Sequence, residues 1–449
     1  MQVHEKEVKA AAGERFQTVR IGPGISFRYL PDSKWKTLSI DVFCMAPVRR
    51  ETVTKLAMVP RLARRGTSRF PTMRDLARRL ELMYGASLGA EVTKVGPAQV
   101  LRFGIDLPSP AFLDPGSGGP IDGVNLGEAM SFLWDVAIKP YLERGAYPED
   151  RFETEREEQR RDILSIINHR PRYAMVRLVE EMSRGHDSGL PSWGLLEDLP
   201  KLDPRDTWET WAETLTACPI SIYAIGEGAR ELGEILERAR LEFPLPRAAK
   251  DSDPLKPQPP PEPSVPIQAE DFLPGEQTVL CMAFHTGITE TDPDLAAFIM
   301  YEGILGGFPH SKLFVNVREK NSLAYFADTS LNTWRGMVVA TAGIMDENRE
   351  KVADLISEQV EAMRRGDISN EEIDNTRAGL VRRYRSESDS QSALVRRFLC
   401  QEIMGGPASE DELVARIQMV TRDDIVRVAE RATLKGVYAL RAKDDGSAD

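Results

Sequence analysis

The sequence predicts an α+β protein made of two tandem copies of one unit, each a mostly antiparallel sheet with helices packed on one face. Three observations carry this reading. Strand-like and helix-like segments recur in the same order in both halves, a proline-rich stretch separates the halves, and within each half strands gather into hairpins while helices gather into pairs.

The first copy opens on "KTLSIDVFCMAP", whose alternation reads as a half-buried strand, and the second on "QTVLCMAFHTGI". An apolar helix follows each, "ETVTKLAMVPRLARRGT" and "DPDLAAFIMYEGILGG", and both stop at glycine, as helices commonly do. Next, "TMRDLARRLELMYGASLGAEVTKVGPAQVLRFGIDLP" gives helix, glycine break and hairpin, matched by "HSKLFVNVREKNSLAYFADTSLNTWRGMVVATAGIMD". The hairpin turns fall at Gly96 and Pro97, and around Arg335 and Gly336.

Two long helices then follow in each copy, "GEAMSFLWDVAIKPYL" with "DRFETEREEQRRDILSIINH", and "ENREKVADLISEQVEAMRRG" with "NEEIDNTRAGLVRRYRSES". A closing helix and strand complete each, "WAETLTACPISIYAIG" and "RDDIVRVAERATLKGVYALRA". From Phe243 to Pro266 the chain reads "FPLPRAAKDSDPLKPQPPPEPSVP", where prolines deny both helix and ladder hydrogen bonds. The expected division is therefore a first domain over residues 1–242, a linker over 243–266 and a second domain over 267–449.

Composition narrows the function. A formal net charge of -12 argues against nucleic acid, which needs a basic stripe. The local basic runs "RLARRGTSR" and "VRRYR" have acidic flanks and read as solvated helix faces. Cys44, Cys218, Cys281 and Cys400 lie far apart among apolar neighbours, the pattern of buried reduced thiols, which points to the cytoplasm. The N-terminal stretch has no apolar signal region, and no apolar run approaches the ~20 residues a membrane helix needs.

The segment "GILGGFPHSKLFVNVREKNSLAYFADT", set in a duplicated α+β chain, resembles the pitrilysin and insulinase (M16) family of zinc peptidases, including the mitochondrial processing peptidase type. The resemblance covers nearly the whole chain and is sharpest at the glycine-rich turn, "SKLF", and the spacing of Arg318 and Tyr325. It implies that this arginine and tyrosine hold substrate and the oxyanion formed at a zinc site, a role that a guanidinium and a phenol can fill as preorganised donors. Read from the residues alone, Arg318 can equally serve a helix C-terminal dipole, and Tyr325 can pack with its hydroxyl in water. Gly303, Gly306 and Gly307 are expected to let backbone approach a peptide closely, or simply to end a helix.

Active members of the family carry His-x-x-Glu-His ahead of a Gly-Thr, with two histidines on zinc and a glutamate activating water. Counted back from Gly66 and Thr67, those positions hold Ala57, Pro60 and Arg61. Alanine has no donor atom, proline cannot act as a base, and arginine repels a cation. The third ligand position falls on Asp162, seven residues after Glu155, where an aspartate without histidine partners is expected to face a neighbouring arginine or water. His4, His169, His186, His285 and His310 show no ligand spacing, and His285 and His310 read as surface histidines. The GxSxG match "GASLG" at 85–89 lies between a helix and a hairpin rather than on a strand-to-helix elbow, there is no cysteine-nucleophile signature or GxxxxGK[ST] loop, and "GEGAR" after the last strand of the first copy reads as a turn.

The resemblance thus implies no metal in this chain, with zinc expected in a partner. The chain resembles the zinc-less companion of a heterodimer whose other subunit, a His-x-x-Glu-His paralogue, binds the metal, similar to a bacterial subgroup linked with elongation factor P modification. Peptide substrate would add as a strand to a sheet edge of the zinc subunit, and the linker would act as a strap between halves. The alternative is a non-catalytic scaffold or peptide-binding protein with the same fold.

Overall fold

In the computed structural model, which describes residues 16–109, 125–238, 262–407 and 409–443, the strand-forming segments of each half collect into one sheet. The first sheet holds β1 (Gln17–Gly22), β2 (Ile25–Leu30), β3 (Thr37–Pro47), β4 (Ser87–Val95), β5 (Ala98–Pro108) and β6 (Ile220–Ile225), in the order β1-β2-β6-β3-β5-β4. The second holds β7 (Ile267–Pro274), β8 (Thr278–His285), β9 (Ala324–Asn332), β10 (Met337–Ile344) and β11 (Thr433–Lys443), in the order β7-β11-β8-β10-β9. Among the described residues only β2 with β6 and β7 with β11 run parallel. The path β2-β6-β3-β5-β4 is the path β7-β11-β8-β10-β9, so the duplication seen in the residues is a duplication of topology.

In the first sheet Leu38, Ile40, Val42, Cys44 and Ala46 of β3 and Leu101, Phe103, Ile105 and Leu107 of β5 alternate onto one face. There they meet Leu56 and Val59 of helix Val53–Ala63 and Ala129, Phe132 and Leu133 of helix Leu126–Ile138. The expected half-buried character of β3 is not what forms, because its second face is buried as well. That face is partly polar. Asp41, only 2% exposed, accepts a 2.7 Å hydrogen bond from Arg102 Nε, while Phe43 meets Tyr223 edge-on at 5.8 Å. Gly104 makes room for the ion pair, since a Cβ there would stand 2.3 Å from the Asp41 carboxylate.

The contacts divide the chain into two units, residues 1–163 with 190–256, and residues 164–189 with 257–449. The expected first domain, 1–242, is therefore interrupted, because helix Arg170–Met182 belongs to the second unit. The cause lies in the sheet. Leu280, Met282 and Phe284 of β8 face the helices Leu295–Glu302, Arg349–Arg364 and Arg422–Arg431. Val279, Cys281 and Ala283 face the other way, and Ala174, Leu178 and Met182 cover them. The second sheet thus carries a helix on the face that the one-sided arrangement left open. Arg335, in the β9–β10 turn, binds the end of this helix through Nη2 to Ser183 Oγ at 2.7 Å and to the Ser188 carbonyl at 2.9 Å.

The expected linker lies mostly outside the described residues; Glu262 pairs with His285 at 2.7 Å and with Lys435 at 3.4 Å. His285 is thus a bonded, half-buried group rather than the surface histidine expected. The four cysteines are free thiols, three of them buried. Among the described residues no helix is long and apolar enough to cross a membrane.

Candidate functional site

The positions assigned to zinc chemistry lie in the first unit, on helix Val53–Ala63 and helix Glu149–Ser165. Ala57 and Pro60 are buried in the core layer, and Pro60 removes one amide from the middle of its helix. Arg61 reaches the second helix, where it pairs with Asp162 and lies 3.7 Å from Glu155. Arg65, one turn on, takes the other oxygen of Glu155. Arg151 fixes the turn that follows by donating to the carbonyls of Arg65 at 3.1 Å and Pro71 at 2.7 Å. Two guanidinium groups therefore neutralise two carboxylates in the corner that the family resemblance gives to a metal. The residues present do not fit zinc: the donors are missing and the cationic place is filled by Arg61. Among the described residues no group of three or more His, Cys, Asp or Glu is arranged to hold a metal ion.

Arg318 and Tyr325 lie in the second unit on one passage from helix to edge strand. Helix Leu295–Glu302 runs into a π-helical turn, Gly303–Gly307, and a second π-helical stretch, Phe314–Glu319, carries Arg318 in its last turn. The amides of Ser322 and Leu323 close this stretch by donating to the carbonyls of Arg318 and Val317, and Ser322 takes a φ of 51°. The Arg318 guanidinium is exposed, sits 4.5 Å over the Phe314 ring and has no carboxylate partner among the described residues.

Tyr325 occupies a β-bulge. Ala324 pairs with Ile344 and Phe326 with Gly343, so Tyr325 is the extra residue of β9. Tyr325 is 55% exposed, and its hydroxyl donates to Met345 Sδ at 3.5 Å, a weak acceptor. Both side chains stand on irregular backbone, a π turn and a bulge, the features that re-aim side chains and recur at functional sites. The outer edge of β9 has no strand neighbour among the described residues.

The glycine-rich turn is explained by the chain itself rather than by a peptide. A Cβ on Gly306 would come within 2.5 Å of Thr329 Cγ2, one on Gly303 within 2.6 Å of Thr376 Cγ2, and one on Gly307 within 2.9 Å of the Glu302 carboxylate. Glu302 is a buried acid that the residue pattern did not disclose. Burial raises its pKa, while Thr329 Oγ1, donating at 2.9 Å, and nearby Arg383 pull it down. Its one sequence signal is a lone glutamate inside "LAAFIMYEGIL". His310 of the same turn is also no plain surface group, since it stacks on Phe308 at 5.3 Å and meets Thr376 Oγ1 at 2.9 Å.

Residues 229–380 match the peptidase M16 inactive domain. The chain is 28% identical over 428 residues to a protein of Bacillus subtilis (strain 168) described as a probable inactive metalloprotease, YmfF, with 94% of this chain and 97% of that protein covered. The crystal structure of a conserved protein from Enterococcus faecalis V583 superposes with a TM-score of 0.87 at 27% identity, covering 96% of this chain and all of that one. An M16 inactive-domain structure from Pseudomonas fluorescens gives 0.77 at 17% identity, over 95% of this chain and 98% of that one, a likeness of fold. The chain is thus similar to M16-type proteins described as inactive, and in its first unit Arg61, Arg65, Glu155 and Asp162 form an arginine–carboxylate network at the positions where the resemblance expects zinc ligands.

Proposed function

We propose that the chain is the zinc-less subunit of a heterodimeric M16-type peptidase, working in the cytoplasm on peptide substrates. The observation that supports this reading best is the contrast between the two M16 positions. The metal corner is closed by Arg61, Asp162 and Glu155, while Arg318 and Tyr325 are exposed, lack a competing carboxylate and stand on backbone that departs from regular structure. A paralogue with His-x-x-Glu-His supplies zinc and its water-activating glutamate. Arg318 and Tyr325 then donate to the oxyanion or grip the peptide beside it. The Tyr325 hydroxyl, resting on a thioether, gives up little when a charged oxygen arrives. The relation to elongation factor P modification belongs to this proposal as its pathway.

The test is to mix the chain with such a paralogue and follow peptide cleavage. Arg318→Ala or Tyr325→Phe is expected to lower kcat by roughly a hundredfold, the loss seen on removing one oxyanion donor, with assembly unchanged by sedimentation. Full turnover by both variants sinks the assignment. A scaffold role is favoured by one detail, that Arg318 stacks on Phe314 and Tyr325 leans on Met345 as ordinary packing residues do. In that case both substitutions change nothing but local stability.

A further inference from the structure

We propose that the outer face of helix Asn370–Glu387 is a binding site for an acidic peptide segment of a partner protein. A cleft of about 610 Å³ runs along this helix beside the end of helix Glu410–Met419. Its lining includes Arg377, Ala378, Val381, Arg382 and Arg385, which share one helical face by their spacing. Arg382 and Arg385 are exposed and have no carboxylate partner among the described residues. Arg377 is engaged by Asp374 at 2.8 Å and by the Val420 carbonyl at 2.8 Å, yet its Nε is buried without an acceptor. Arg385 stands in the last turn, where a cation offsets the helix dipole, but that accounts for Arg385 alone.

The cleft selects its ligand by charge and shape. Eight residues separate Arg377 from Arg385, about 12 Å of helix at 1.5 Å per residue, so carboxylates spaced along a chain suit the arginines better than one phosphate does. The floor of Ala378 and Val381 suits peptide methylenes, and Asp374, Asp389, Ser386 and Gln418 complete the wall. No aromatic ring lines the cleft, so a nucleic acid would find no base to stack on, and the net charge of -12 opposes one further. On a strongly acidic protein this stripe is a local cationic island.

The probe is a fluorescein-labelled twelve-residue peptide of alternating Glu and Ala, titrated with the full chain and read by anisotropy. Saturable binding is expected that weakens with salt and falls at least tenfold in Arg382→Ala/Arg385→Ala, the loss of two charged hydrogen bonds. Both side chains are exposed, so the unfolding midpoint of the variant should shift only slightly, through the lost offset of the helix dipole at Arg385, which separates lost binding from lost fold. Equal binding by the variant, no saturation, or equally strong competition by inorganic tripolyphosphate overturns the proposal, the last in favour of a plain phosphate site.

Discussion

Arg61 does with one side chain what a divalent cation does between carboxylates: it offsets Asp162 and shares the buried Glu155 with Arg65. Arg61→Leu leaves Glu155 with one cation, and a loss of about 1–3 kcal/mol is expected in the urea unfolding free energy. Arg61→His restores one donor beside Ala57 and Pro60, so metal analysis of that variant should still find no stoichiometric zinc. A second buried acid gives a pH signature. Burial raises the Asp41 carboxyl to about 6, with the Arg102 guanidinium pulling it down. The folded chain then keeps a proton that an unfolded aspartate loses near about pH 4. The sign follows: stability from this group is full below about pH 4 and is lost as pH rises toward about 6, by at most about 3 kcal/mol. Stability measured across that window should show this fall in the native chain and a flatter course in Asp41→Asn. At this scale the sequence offered Ala57, Pro60, Arg61 and Asp162 as the motif positions, because a motif can be counted, and an arginine or water as the neighbour of Asp162, which in the structure is Arg61. It could not disclose the bulge at Tyr325 or the thioether beneath its hydroxyl, because cross-strand register decides both.

Elements were legible where a period was long and a cap was written beside it. Helices Met73–Leu82, Asn370–Glu387 and Arg422–Arg431 each begin at a capping box, Thr72 with Asp75, Ser369 with Glu372 and Thr421 with Asp424. The short strands β1 and β2 escaped notice because six residues carry too little alternation, and β7, alternately exposed along an edge, was hidden behind the prolines that precede it. The glycine-rich turn shows how a motif can be visible and its reason hidden. Gly306 is fixed by Thr329, whose Cγ2 and backbone nitrogen would lie 2.5 and 2.8 Å from an added Cβ. Gly306→Ala should therefore destabilise the isolated chain by roughly 1–3 kcal/mol, as overpacking does. Thr329→Ser should rescue only part of this, since the backbone contact remains. An unchanged thermal midpoint for Gly306→Ala would return the glycine to a role in peptide contact.

For the whole molecule, the decisive feature is that the chain enters the second unit twice. Residues 164–189 are placed there by sequence position inside the first half, and Ala174, Leu178 and Met182 close the face of β8, β10 and β11 that holds Val279, Cys281, Met337, Val339, Tyr438 and Leu440. Nothing in a linear reading marks such a swap, because helix Arg170–Met182 has an ordinary amphipathic pattern and its partner strands lie from about 100 to about 260 residues on. A consequence can be measured. A protease site engineered into residues 248–254 cuts the only covalent path after the first half, yet each cut molecule still has helix Arg170–Met182 seated on the second sheet. The two fragments should co-elute in size exclusion, held in part by burial of Leu178 and Met182, each worth about 1.5–3 kcal/mol, and by the Arg335 bonds to Ser183 and Ser188. Leu178→Asp in the cut protein places an unpaired charge in that apolar layer and should release the fragments or send them into aggregates that bind a hydrophobic dye. Fragments that separate freely after cleavage without this substitution would show that the helix contributes little to holding the second unit together, and residues 267–449 would then be expected to fold alone.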